Sequence, residues 1–262
     1  PELHQRPRRQ RQMCIRDRPS PWLKQIPQYK DVVLQARAFL ETEAYQNNQA
    51  YFQRLLEQHE PYQFSRLRND TGNGRFILTF SKNLTQDLKT QCKNNNIGVL
   101  PVFSTACSLV LSKVVNKSEF LLNTVVHGRV GKEGMHVIGM HSNTIAFGTK
   151  VKADMKLMEL ALATKNAIHT SYQHSAFPFS HFGRMANRMG FMVPEATIAY
   201  DRFSAASASG YFTGTYNVDN DYQDHPLLIR LRDYGFNDRM QIAISYGRQY
   251  FTEKQIEELT LS

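Results

Sequence analysis

The sequence lacks several features that mark common classes of protein. It holds three cysteines, Cys14, Cys92 and Cys107, with no CxxC pair and no Cys/His spacing suited to zinc. No apolar run approaches the length needed to span a bilayer, and the N-terminus has no apolar signal core. The simplest interpretation is a reduced cytoplasmic protein with no bound metal and no membrane partner.

Acidic residues are fewer than basic ones, 23 against 32, and the net charge is +9. Residues 1–18 hold six arginines against Glu2 and Asp17, which leaves 26 basic and 21 acidic residues in the rest of the chain. The remaining lysines and arginines are scattered rather than aligned on one helix, so we expect no nucleic-acid partner. Because residues 1–18 show no helical or strand periodicity and MCIRDR resembles a translated adapter remnant, we expect a non-native or disordered tail. A flexible basic linker is the alternative.

Apolar periodicity predicts helices in the first two thirds of the chain. Residues 29–58 carry apolar side chains at helical spacing, and the helix should end at Glu60-Pro61. Pro101 is suited to the first turn of another helix, whose apolar stripe includes Cys107, and Asp154 can cap a third. We predict that Cys92 and Cys107 serve as small packing residues.

Strand patterns dominate the last third of the chain. Before it, RFILTF alternates as a half-buried strand does, and later TIAYDRF, GYFTGTYNV, PLLIRLRD and RMQIAISY alternate in the same way. Thr252 and Gln255 then form a capping box for a final helix. Helices and strands are interspersed without an internal repeat, which predicts an α/β fold: a two-layer sandwich with a mixed sheet.

The stretch at residues 123–151 links these parts. It predicts a strand at 124–126, a loop with Gly128, Gly131 and Gly134, and a second strand that starts at Val137-Ile138 and continues through IGMHSNT. The small polar residues near its end, Asn143 among them, need hydrogen-bond partners if buried. Asn143 therefore either binds a neighbouring loop or faces a wet cleft.

Two segments resemble signatures of the condensation domains of nonribosomal peptide synthetases. IGMHSNT is similar to GxFVNT: Gly139, Asn143 and Thr144 match, whereas His141 and Ser142 replace Phe and Val. HSAFPFSHF is similar to HQDYPFE, from which it keeps the first histidine, an aromatic residue, proline and phenylalanine but lacks Gln, Asp and Glu. These losses slightly favour an atypical subtype.

Weaker similarities extend the resemblance to residues 28–261. QYKDVV resembles YxDYAxW, YFQRLLEQ matches the YWxxxL helix, and HPLLIRLRD and YGRQYFTEKQIEEL resemble the last strands and helix of such a domain. The resemblance implies a chloramphenicol-acetyltransferase-like C-terminal lobe at residues 65–262. Residues 19–64 would form a linker helix region that belongs to the preceding lobe.

What the resemblance implies for function is amide formation between a carrier-bound acyl or peptidyl thioester and a carrier-bound amine. The phosphopantetheine arms of the carriers enter the family's cleft, so no cofactor is bound directly. The implied partners are a missing N-terminal lobe, peptidyl carrier domains and an adenylation domain. The expected cleft-lining or motif residues are Gly128, Arg129, Gly139, His141, Asn143, Thr144, His174, Pro178 and Phe179.

The family's catalytic motif HHxxxDG does not occur in the sequence. We therefore expect the chain to hold only the second half of the fold and to be inactive by itself. Two alternatives stay open: a noncatalytic condensation-like domain that recruits partner proteins, and a stand-alone acyltransferase of the same superfamily. For Asn143, binding a neighbouring segment and orienting a substrate are equally compatible with the sequence. For His174, capping a helix end and a functional role are likewise both open.

Overall fold

The computed structural model describes residues 28–67, 69–129, 137–152, 154–202, 225–234 and 239–261. Their contacts divide the chain into two units, one built from Pro1–Gln46 with His127–Ser142 and the other from Asn47–Val126 with Asn143–Ser262. The predicted tail at 1–18 and the predicted strand GYFTGTYNV lie outside the described residues.

The described residues contain seven helices and six strands. The helices are α1 (Tyr29–Phe39), α2 (Glu43–Glu57), α3 (Lys82–Asn94), α4 (Val99–Val115), α5 (Leu157–Gln173), α6 (Phe179–Arg188) and α7 (Glu253–Leu261). The strands are β1 (Asn73–Thr79), β2 (Glu119–Val126), β3 (Asn143–Lys150), β4 (Ala196–Arg202), β5 (Leu227–Asp233) and β6 (Met240–Gly247).

All six strands form one sheet in the second unit, in the order β1-β6-β5-β4-β2-β3. Strand β4 pairs in parallel with β5 and β2, whereas β1/β6, β6/β5 and β2/β3 are antiparallel. The sheet is therefore mixed, and the predicted α/β class is confirmed. Pairing between β2 and β4 covers only two residue pairs, Asn123 with Thr197 and Thr124 with Ile198.

The core of the second unit lies between one face of the sheet and helices α4 and α7. Alternate residues of the strands, such as Phe120 and Leu122 of β2, pack there with Phe103 of α4. Cys107 and Cys92 are buried, which confirms their packing role, and burial raises the pKa of Cys107 to about 12. The capping box of α7 is also present: Thr252 N donates to Gln255 Oε1 at 2.9 Å and Gln255 N donates to Thr252 Oγ1 at 3.2 Å.

The single helix predicted for residues 29–58 is wrong, because the chain forms α1 and α2 with a break at residues 40–42. Thr42 explains the break. Its hydroxyl donates to Phe39 O at 2.7 Å and accepts from Tyr45 N at 3.2 Å, so it closes α1 and caps α2. Hydroxyl side chains compete in this way with the backbone bonds that would continue a helix.

Two further boundaries differ from prediction. Helix α5 starts after Lys156, whose N–H donates to Glu159 Oε2 at 3.2 Å, so Asp154 is not its cap. Strand β3 starts at Asn143, and Val137–Ile138 lie in no strand. The cause is that side chains occupy the carbonyls before Asn143: Arg129 Nη1 donates to Val137 O at 2.6 Å, and Tyr29 Oη donates to Met140 O at 2.8 Å.

We expect His59 to make the stability of the second unit depend on pH. Its Nδ1 bonds Leu55 O at 2.8 Å, and its ring covers Gly148, where a Cβ would lie 2.1 Å from Nε2. Burial lowers the pKa of His59, with the hydrogen bond to Leu55 O acting in the opposite direction. The folded protein therefore binds this proton less tightly than the unfolded chain, whose histidine has a pKa of about 6.5.

We expect the free energy of unfolding to fall as the pH drops from 7.5 through about 6.5 toward the lower folded pKa. Urea unfolding at a series of pH values measures the loss, and His59→Gln should flatten the profile. His169→Gln, which changes an exposed histidine of α5, is the matched control. An unchanged slope in His59→Gln would show that other groups cause the pH dependence.

Candidate functional site

Asn143 binds the loop between α5 and α6. Its Nδ2 donates to Ser175 O at 2.8 Å and to Phe177 O at 2.9 Å, and its Oδ1 accepts from Phe179 N at 3.2 Å. Of the two roles that the sequence left open, the structure shows loop binding. Thr144 follows as a half-buried residue of β3. The two segments that carry the strongest family signatures are thus joined directly.

His174 is the C-cap residue of α5. Its Nδ1 is 2.8 Å from Asn48 Oδ1 on α2, and its ring stacks on Tyr51 with centroids 4.1 Å apart and planes at 14°. Tyr51 Oη shares a hydrogen bond of 2.8 Å with Ser171 Oγ. Helix α2 therefore holds the last turn of α5 and the start of the loop at two points.

The environment of His174 favours the neutral imidazole. Burial lowers its pKa, and the nearby cation of Arg54 acts in the same direction. Burial also raises the pKa of Tyr51, which keeps the phenol protonated. The pair is therefore an uncharged, hydrogen-bonded stack at neutral pH.

Pro178 and Phe179 start α6. Pro178 is its N-cap, with extended backbone angles, and Phe179 stacks on Phe182 at 5.7 Å. Phe177, which is buried, stacks on Phe52 of α2 at 5.5 Å. The aromatic-proline segment therefore fixes the turn by packing, while Asn143 binds its backbone.

The remaining predicted residues lie in the first unit. Arg129 Nη1 and Nη2 donate to Val137 O at 2.6 Å and Gly139 O at 3.4 Å. Tyr29 packs on Gly139, where a Cβ would lie 2.2 Å from the ring, and its ring meets His141 edge-on at 5.5 Å. Gly128 has φ +59°. These contacts join the described segments at 127–129 and 137–142, and the second of them packs against Tyr29 of α1.

The predicted residues thus fall into two groups, one per unit. The first unit holds Gly128, Arg129, Gly139 and His141, and the second holds Asn143, Thr144, His174, Pro178 and Phe179. Their place in a cleft stays a prediction. Sequence reasoning missed Asn48 and Tyr51 as site residues, although both lie on a helix predicted there. The available signal was the spacing of Asn48, which lies four residues before Phe52 and seven before Leu55 and thus on the apolar face.

We also searched the rest of the described residues for a cavity, a metal site and a membrane-spanning helix. A cavity of about 420 Å³ lies between α4, β5, β6 and α7 and has Phe103, Val110, Lys113, Ile242 and Leu259 among its lining residues. No cluster of three or more His, Cys, Asp or Glu side chains suited to a metal occurs in the part of the chain that the structure describes. Nor does any single described helix have the length and apolar character to cross a membrane, although α3 and α4, bent by 109°, pass that test as a pair.

Comparisons with known proteins agree on one family. The model of the condensation domain matches residues 13–261. Bacitracin synthase 1 of Bacillus licheniformis is 22% identical over 247 residues, which cover 88% of this chain and 5% of that protein. Tyrocidine synthase 2 of Brevibacillus parabrevis is 23% identical over 159 residues, 58% of this chain and 4% of that protein.

Solved structures show the same fold. The condensation domain of the monacolin K polyketide synthase MokA superposes with a TM-score of 0.73 at 14% identity, over 90% of this chain and 59% of that one. The first condensation domain of the calcium-dependent antibiotic synthetase gives 0.69 at 15% identity, over 88% and 51%. The chain thus spans a little over half of these two structures. The fold is chloramphenicol-acetyltransferase-like, and with a family match across nearly its whole length, the chain belongs to the condensation domain family.

Proposed function

We propose that this chain supplies the C-terminal, acceptor-side half of a condensation domain of a nonribosomal peptide synthetase. In the proposed reaction the amine nitrogen of one carrier-bound substrate attacks the thioester carbon of another. A C–N bond forms and the C–S bond breaks. The proton that the amine loses ends on the sulfur, and the resulting thiol stays on the donor's phosphopantetheine arm. The chain itself holds no cofactor in this proposal, because both arms belong to carrier domains.

The observation that carries the proposal is the bonding of Asn143 to the loop after His174. Two segments that resemble condensation signatures lie more than 30 residues apart, and three hydrogen bonds join them. An amide that binds backbone atoms on a separate loop fixes that loop's conformation, which is the preorganisation that a substrate-positioning wall needs.

The surface of the first unit supports a role for a second lobe. Ile138 and Met140 are 82% and 78% exposed, and Leu34 of α1 is 59% exposed. Large apolar side chains at such exposure are typical of surfaces that another protein covers. In the proposal that partner is the N-terminal lobe, which carries HHxxxDG. Since the motif is absent from these 262 residues, the chain alone should not form amides.

The test is complementation in trans. The chain is mixed with an N-terminal lobe that carries HHxxxDG, taken from the matching condensation domain of bacitracin synthase 1, and with two carriers loaded with donor and acceptor aminoacyl groups. Mass spectrometry measures the dipeptidyl carrier. We expect no product from either half and product from the mixture. The control is the same lobe with alanine at the second motif histidine.

Two outcomes would contradict the proposal. Product from the chain alone would show that it does not need the motif. No product from a mixture whose halves bind each other on size-exclusion chromatography would remove the catalytic role. Carrier binding without product would then support the alternative of a noncatalytic recruiting domain.

A further inference from the structure

The imidazole of His174 is held in one orientation. Its Nδ1 lies 2.8 Å from Asn48 Oδ1, and Tyr51 covers one face of the ring at 4.1 Å. An amide oxygen can only accept a hydrogen bond, so the proton of the neutral ring sits on Nδ1. Nε2 therefore carries the lone pair.

That lone pair has no protein partner within the described residues, where Nδ1 makes the one hydrogen bond of the ring. The residue keeps partial exposure. Phe52 also meets the ring edge-on, with centroids 6.4 Å apart. Nε2 is nevertheless not among the fully buried polar atoms that lack a partner, so it keeps access to solvent. Nε2 is thus an acceptor that a ligand can reach.

The residues around His174 keep the imidazole neutral and hold the ring in place. Burial and the cation of Arg54 both lower the pKa of His174, so Nε2 stays unprotonated at neutral pH. Asn48 is itself buried, and Asn143 binds the backbone of Ser175 and Phe177 directly after the ring. A second residue that fixes the tautomer of an imidazole is a recurring device in sites where histidine binds or moves a proton.

We propose that Asn48 is a positioning residue that fixes His174 as its Nδ1–H tautomer, so that Nε2 accepts a hydrogen bond from the amide or ammonium N–H of a tethered substrate. The identity of the ligand rests on the proposed function, whereas the tautomer of His174 and the role of Asn48 are independent of it.

The tautomer is tested on the full ¹⁵N-labelled chain by long-range ¹H–¹⁵N correlation of the imidazoles, with His174→Gln used to assign the signal. We expect the Nδ1–H pattern in the unaltered chain. Asn48→Asp should keep that pattern and raise the pKa of His174, because a carboxylate then faces Nδ1. Asn47→Asp adds the same charge at the exposed neighbouring position and should change that pKa much less.

An Nε2–H pattern in the unaltered chain would overturn the proposal, because the amide of Asn48 would then donate to the ring. Equal pKa values for His174 in the two aspartate variants would overturn the role of Asn48. Asn48→Leu, which removes the acceptor without adding charge, should let the Nε2–H form appear. If Asn48→Leu does not fold, the comparison of Asn48→Asp with Asn47→Asp still decides the role of Asn48.

The ligand part uses the glycyl thioester of N-acetylcysteamine as the probe. Titration should shift the His174 Nε2 signal saturably, and Asn48→Leu should weaken binding about fivefold, as expected for one misplaced hydrogen bond of about 1 kcal/mol. No shift at Nε2 would overturn the ligand role even if complementation gives product. A saturable shift together with failed complementation would instead remove only the catalytic half of the proposed function.

Discussion

Replacement of Asn143 by leucine is expected to lower the free energy of unfolding by about 3 kcal/mol, because each of three hydrogen bonds contributes about 1 kcal/mol. The bonds run to Ser175 O, Phe177 O and Phe179 N. Leucine has a similar size but leaves two carbonyls and one N–H without their partner. The loop between α5 and α6 should lose more of its local stability than the rest of the second unit.

Urea unfolding followed by circular dichroism measures the global effect, and hydrogen exchange at the Phe179 N–H measures the local one. Asn143→Asp keeps the acceptor for Phe179 N but removes both donors, so its cost should also be large. Thr144→Val, at the next and half-buried position, is the matched control and should change stability by less than about 0.5 kcal/mol. Equal stabilities for Asn143→Leu and Thr144→Val would mean that the three bonds contribute nothing net.

The same asparagine shows how far sequence reasoning reaches. A polar residue between glycine and an apolar strand had to find a partner, and that much followed from the cost of burying an amide. The partner could not be derived, because Ser175, Phe177 and Phe179 lie 32 to 36 residues away. The resemblance to a family identified both segments as signatures, but it did not predict that they contact each other.

Prediction from the sequence succeeded for elements that depend on residues close together in the chain. The α7 capping box involves only Thr252 and Gln255. In β6, the predicted inward residues Met240, Ile244 and Tyr246 are buried, although Ile242 is only half-buried. Prediction failed where distant or competing side chains decide. Thr42 breaks the first helix, and Tyr29 occupies a carbonyl of Met140 from 111 residues away. The neighbours β1 and β6 likewise lie at opposite ends of the second unit's sequence.

Gly128→Ala is expected to separate the segment at 127–129 from the segment around His141. The expected cost in local stability is about 3 kcal/mol, of which about 1 kcal/mol comes from the backbone angle and about 2 kcal/mol from the overpacked Cβ. Gly128 has φ +59°, a region where an L-residue costs about 1 kcal/mol or more. A Cβ there would also lie 1.9 Å from His141 O. Because that obstacle is backbone, no side-chain rotation relieves it, and the segment around His141 has to move.

Gly190→Ala separates the two causes. Gly190 has φ +75° and no atom within 4 Å of an added Cβ, so alanine there should cost only the conformational part, about 1 kcal/mol. Hydrogen exchange at Arg129 N, which donates to His127 Nδ1 at 3.0 Å, measures separation of the two segments, and limited proteolysis checks it. We expect exchange there to quicken in Gly128→Ala, and urea unfolding should show a loss about 2 kcal/mol larger than that of Gly190→Ala. If both variants behave alike, the approach of His141 O does not constrain Gly128, and the glycine is needed only for its backbone angle.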